Sequence, residues 1–268
     1  MLTAVVDAMM VPLAPLGPSG ALAVVALLSA LGILLLYKRL TDQERLGRSR
    51  GRMFGGVLEI ALYRRDPVAL WGSVGRVLGA SLAYLGASAA PLLVAFLPMF
   101  FLLTQWNDWF DRRPLTQLQP ALLTIHVRDS VDVLASRIDL KLPAGSRADS
   151  DAIRIPPTQE VVWRVVPGRQ SRGEAVVTVD GLDYIKTFAA GDGFARVAVR
   201  RTGEGWWQHV LHPSEPAMDA HGPVASIRID YPVREYALGS FRVGWLTAYL
   251  LLTLLWGALL MVPLRVRV

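Results

Sequence analysis

Three stretches of this chain carry no charged side chain: Ala21–Tyr37, Val77–Asn107 and Val243–Leu264. A bilayer core of about 30 Å takes about 20 apolar residues as a helix. The second and third runs reach that length outright. The first reaches it when Pro18 or Ser19 lies at one membrane edge and Lys38 and Arg39 at the other. Pro18 fits there, because the first helical turn does not need its N–H. Three such runs in one chain predict three transmembrane helices, over 21–37, 77–106 and 241–264.

Between the second and third runs the pattern switches to period two. Apolar residues alternate with polar ones at Ile138-Leu140-Leu142, Val161-Trp163-Val165, Val177-Val179, Val197-Val199 and Ile227-Ile229-Tyr231. Turn residues separate them at Pro167-Gly168, Asp180-Gly181, Gly191-Asp192-Gly193 and Gly203-Glu204-Gly205. Short strands punctuated in this way predict an antiparallel β-sandwich, assigned to residues 107–240. The fold class is therefore membrane α plus β. Trp106, Trp109 and Phe110 follow the second run as an aromatic belt at the outer interface.

The first loop, residues 38–76, shows helical spacing of Met53, Phe54, Val57, Leu58, Ala61 and Leu62. Asp66-Pro67 then reads as an N-cap followed by proline in the first helical turn. The loop is predicted to be a helical hairpin, weakened in its first arm by Gly47, Gly51, Gly55 and Gly56. Pro91 and Pro98 are expected to kink the second membrane helix. Its glycines at 75 and 79 suit close helix packing, within this bundle or at a dimer seam. Residues 1–20 form an outer segment in which Pro12, Pro15 and Pro18 interrupt an apolar stretch. It reads either as a short interfacial helix or as a frayed terminus.

Charge orients this arrangement. The net charge of +6 is concentrated: residues 38–76 hold nine basic side chains against four acidic ones, and the 265–268 tail adds Arg265 and Arg267. The stretch from Gln105 to Arg242 is neutral, and the N-terminal segment holds only Asp7. Positive loops stay cytoplasmic, so the N-terminus and the β-domain are placed outside, and the tail inside, the bacterial inner membrane. The basic balance thus reflects topology rather than nucleic-acid binding. Met1–Gly20 lacks the basic start of a cleaved signal peptide. No cysteine is present, which removes disulfides and thiol chemistry.

Catalytic signatures are missing: there is no phosphate-binding glycine loop, nucleophile elbow or metalloprotease helix. His209, His212, His221, Glu215 and Asp219 form an irregular, proline-interrupted group that reads as a solvated loop rather than a metal site. No enzyme activity, metal or cofactor is assigned.

The residues Leu58-Glu59, Tyr63-Arg64-Arg65-Asp66-Pro67 and Leu70, followed by Pro91-Leu92-Leu93-Val94-Ala95-Phe96-Leu97-Pro98-Met99-Phe100, resemble the YidC/Oxa/Alb membrane-insertase superfamily over roughly residues 18–106. The minimal members of that family have three helices with a cytoplasmic hairpin. The chain departs from the bacterial members, which have five core helices and carry any large outer domain ahead of the core. The resemblance implies a chaperone-like role in protein insertion. Lys38 and Arg39 would attract acidic residues of an inserting segment, and Met53, Phe54 and Met99 would contact hydrophobic client segments. Read without the family, the two cations are snorkelling anchors at lipid headgroups. Implied partners are membrane lipids, client membrane proteins and an extracytoplasmic protein bound by the β-domain. Two rival functions are a non-catalytic assembly subunit and a transporter-accessory subunit.

Overall fold

The computed structural model describes residues 2–40, 67–169, 172–203 and 205–264. Helix α1, Leu2–Met10, leads through a 3-10 segment, Val11–Leu16, into α2, Gly17–Leu40. Gly17 marks the junction with φ of 69°, a left-handed value that side chains with a Cβ rarely adopt. The N-terminal segment is thus helical rather than frayed. Helix α3, Pro67–Phe110, follows; its 44 residues give a length of about 66 Å. The proline of the Asp66-Pro67 pair is its first residue, as expected of a position whose N–H needs no partner.

Among the described residues, one helical stretch, Thr3–Arg39, is long and apolar enough to cross a membrane. The C-terminal helix, α5, Trp245–Met261, is apolar but 17 residues long. It is shorter than the predicted 241–264 span because Phe241–Gly244 is a strand. The predicted second span lies inside α3.

Among the described residues, eleven strands lie between α3 and α5: β1 Ala121–Val127, β2 Ile138–Lys141, β3 Arg147–Ala148, β4 Ile153–Ile155, β5 Glu160–Val166, β6 Gly173–Val179, β7 Leu182–Phe188, β8 Arg200–Thr202, β9 Val224–Ile229, β10 Glu235–Leu238 and β11 Phe241–Gly244. A short helix, α4, Trp206–Leu211, follows β8. One sheet has the order β3-β5-β1-β9-β8, with β4 also paired to β5; a second is β2-β6-β7; β10 and β11 form a separate hairpin. Every pairing between these strands is antiparallel.

Register places the core. Ile125 stands between Val161 and Ile227, and Leu123 between Trp163 and Ile229. These side chains are buried together with Ile138, Ala175, Val177, Val179 and Phe188 of the other sheet. The two sheets therefore share one core, each with an apolar inner and a polar outer face. The β6–β7 turn uses Asp180 and Gly181 at φ of 48° and 86°. Two left-handed residues match the twist of a two-residue hairpin, which selects Asp-Gly there.

The alternation marks β2, β5, β6 and β9, leaves the other strands unmarked, and points to Val197–Val199, where no ladder strand forms. The central strand β1 went unmarked because its alternation is blurred by Leu122, which lies exposed on the outer face. Val197–Val199 is not a ladder strand; pairing begins at Arg200. The Val199 carbonyl still accepts from the Ile229 N–H at 3.0 Å, but the Val197 N–H turns to the Asp108 carbonyl at 2.8 Å.

The chain divides into two compact units. One comprises residues 1–24 and 101–249, and the other residues 25–100 and 250–268.

Candidate functional site

In the helical unit, Lys38 and Arg39 occupy the last turn of α2, and both are exposed. Lys38 Nζ donates to the carbonyl of Leu264 at 3.0 Å, just past the end of α5. A helix leaves its last carbonyls without intrahelical partners, and a lysine supplies both a donor and a charge matching the dipole. Lys38 thus ties the C-terminal ends of α2 and α5 to one another, a role not foreseen from sequence. Met99 lies half-buried on α3. Helix α3 runs without interruption through Pro91 and Pro98. Met53, Phe54 and the remainder of the predicted hairpin between 41 and 66 lie outside the described residues.

The other unit contains a concentrated polar and aromatic site where α1, the end of α3, the start of α5 and the β-domain meet. Trp106, Trp109 and Phe110 do not form an exposed belt; all three are buried. Trp106 packs on Tyr249 with ring centroids 5.6 Å apart. Trp109 and Phe110 both meet Phe194 at 5.3 Å, and Phe110 stacks on Trp245 at 6.4 Å. Tilted and offset aromatic pairs of this kind add about 0.5–1.5 kcal/mol each beyond their burial. Backbone pairing fastens the same place. The Arg113 N–H donates to the Pro232 carbonyl, the Arg234 N–H to the Asp111 carbonyl, and Tyr236 Oη to the Phe110 carbonyl at 3.0 Å. The chain leaving α3 and the chain entering β10 thus form one joint.

Charged groups are threaded through this joint. Asp7 of α1, the one charge of the N-terminal segment, accepts from Trp109 Nε1 at 3.1 Å and from Arg196 Nη1 at 2.9 Å. Arg196 also lies 3.5 Å from the Asp108 carboxylate. Asp108 accepts a further hydrogen bond from Ser214 Oγ. Burial raises the Asp108 pKa to about 6, against the lowering influence of Ser214 and Arg196. Alongside, Lys186 Nζ is wholly buried against Glu215 and also donates to the Ala198 carbonyl at 2.6 Å. The Thr187 N–H donates to the second Glu215 oxygen at 2.6 Å. Desolvation lowers the Lys186 pKa, while the Glu215 carboxylate opposes that shift.

Segment 209–221 is therefore not a solvated loop throughout. Glu215 and Met218 are buried, whereas Asp219 and His221 are exposed. Desolvation, and then the nearby Arg200 and Lys186 charges, lower the His212 pKa. The side chain of His209 lies outside the described residues. Among the described residues, no group of three metal-ligating side chains converges. Chemically, this joint holds buried charge in fixed pairs and fastens α1 to the β-domain.

Sequence reasoning missed Lys186 although a signal existed. Phe188 points inward from β7, and Lys186, two residues earlier, shares its face. Asp7 carried a weaker signal, as a lone acid in an otherwise apolar helix. Comparison of the chain with protein-family models, curated proteins and solved structures gives no match.

Proposed function

We propose that this protein is an insertase-like membrane protein of the bacterial inner membrane, with three membrane-crossing helices and the β-domain outside. It assists insertion or assembly of other membrane proteins. The observation that carries the reading is a stripe on α3. Leu78, Leu82, Leu85, Leu93 and Phe96 recur at helical spacing and are all more than half exposed. Beside them, Gly75, Gly79 and Gly86 have no described atom within 4 Å of where a Cβ would stand. The small-residue face is thus open among the described residues. An apolar helix surface with an open small-residue flank suits contact with lipid and with an incoming hydrophobic segment. The Lys38–Leu264 bond adds support to the orientation, since it brings together two helix ends that the charge balance places in the cytoplasm.

A second reading, a non-catalytic assembly or transporter-accessory subunit, draws on the joint built around Arg196. Such a subunit presents its β-domain to an extracytoplasmic partner from a fixed base. Photo-crosslinkers at Leu82, Phe96 and Met99, with others at Met53 and Phe54, separate the two. Capture of nascent membrane segments supports insertion; capture of one stable folded partner supports the subunit reading. Replacing Lys38 and Arg39 by glutamine should impair client insertion while leaving orientation unchanged. Single cysteines at Ser49 and Ser130 test that orientation: an impermeant thiol reagent on intact cells should label only the one at 130.

A further inference from the structure

The outer face of the larger sheet carries an open cleft of about 280 Å³, lined by Thr124, His126, Glu160, Arg200, Ser226 and Arg228. These residues come from four adjacent strands and share one face by register. Glu160 pairs with His126 and His126 with Ser226 in one row; Thr124 pairs with Arg228 and Arg228 with Arg200 in the next. Arg200 and Arg228 stand directly opposite each other across β8 and β9. Arg200 donates to Ser226 Oγ at 3.1 Å, and Arg228 contacts Asp230 through Nε at 3.0 Å. Three strand spacings away, about 14 Å across the sheet, Glu160 sits at the opposite margin. Between them lie two hydroxyls and an imidazole. The cleft thus has a cationic end, a hydroxyl-rich middle and one carboxylate at its far side.

We propose that this cleft binds a small hydroxylated oxyanion of the sugar-phosphate or uronate type. Its charged group lies between Arg200 and Arg228, where a planar guanidinium pair matches phosphate or carboxylate oxygens. Its hydroxyls meet Thr124, Ser226 and His126, and Glu160 accepts from the hydroxyl most distant from the charge. The volume stands at the lower end of small-molecule sites and the lining is polar, which fits a compact polar ligand rather than an apolar one. This site is separate from the α3 stripe, so it stands or falls independently of the insertion reading.

Titration calorimetry on the full chain in an uncharged detergent tests it, with glucose 6-phosphate, glucuronate, inorganic phosphate and glucose as probes. Glucose 6-phosphate and glucuronate should bind, with glucose weaker by about tenfold or more, as loss of a charge-assisted contact implies. Inorganic phosphate should bind more weakly than glucose 6-phosphate. Arg228→Gln, at an exposed position, should weaken both anionic sugars about tenfold without lowering the melting temperature. Glu160→Gln should weaken the sugars but not inorganic phosphate, and Asp230→Asn should strengthen all three anions. No binding of either anionic sugar at millimolar concentration, or glucose binding equally well, overturns the proposal. Unchanged affinity in the Arg228 variant does the same, and inorganic phosphate matching glucose 6-phosphate overturns the hydroxyl-reading half of the site.

Discussion

Leu123 and Ile125 of β1 are wholly buried, whereas Leu82 of α3 is 69% exposed and Leu254 of α5 is 70% exposed. The same residue types thus meet opposite surroundings in the two units. In the β-domain, apolar side chains take alternate positions and face a shared core, while the other face is polar. Along α3 and α5, apolar side chains cover exposed surface as well, and charge gathers near the helix ends. A helix that is apolar all round needs an apolar solvent or burial in a larger body. The treatment of charge is inverted too. The unit that contains the β-domain buries Lys186, Glu215 and Asp108, each with a partner, while the described cations of the helical unit, Lys38 and Arg39, are exposed.

The largest test of that contrast is Lys186→Met. It leaves Glu215 buried without its cation and should destabilise the chain by about 3–5 kcal/mol. The double variant Lys186→Met, Glu215→Gln should recover much of that loss in thermal melts. A double variant as unstable as the single one would show that packing, not charge pairing, governs the site.

Next comes Leu123→Ala, which should cost about 2–5 kcal/mol through lost burial and a cavity. Leu82→Ala in detergent should change stability by less than about 0.5 kcal/mol, as exposed positions do. Equal costs at the two positions would break the comparison.

A third test uses pH. Asp108 has its folded pKa raised from 3.8 to about 6. Between those values the folded state holds more protons than the unfolded one, so stability falls as pH rises. The contribution is full below about pH 4 and lost as pH passes 6, a change of about 3 kcal/mol at about 1.4 kcal/mol per unit. Wild type and Asp108→Asn, melted from pH 4 to 7, should differ in slope across that window. Parallel curves would remove Asp108 as its source.

Smallest is Asp7→Asn, which weakens the ties to Arg196 and Trp109 at a half-exposed position, by about 1 kcal/mol. Hydrogen exchange should rise in α1 more than in the sheets. Unaltered exchange would show that apolar burial of Val6 and Met10 alone holds α1.

Much of this architecture was legible from local pattern. Charge-free runs marked α2, most of α3 and α5, because a helix without charge has few other homes. Alternation at Ile227-Ile229 and the Asp180-Gly181 pair marked β9 and the β6–β7 turn, because strand period and left-handed φ act within a few residues. Where α5 begins was less legible, since Phe241–Gly244 suits an apolar helix as well as a strand.

What only the tertiary structure decided were the long-range partners of polar groups. By itself, the sequence determined which segments are apolar, which alternate and where positive charge gathers, since each is a property of neighbouring residues. It could not determine that Asp7 meets Arg196, that Lys186 meets Glu215, or that Lys38 reaches the Leu264 carbonyl. Nor could it bring Arg200 opposite Arg228, which needs the strand order β1-β9-β8 and its register. A charged side chain has no periodic signature of its partner, and its default reading is solvation. Burial by elements distant in sequence turns that solvated charge into a paired one, and only the assembled fold specifies the pair.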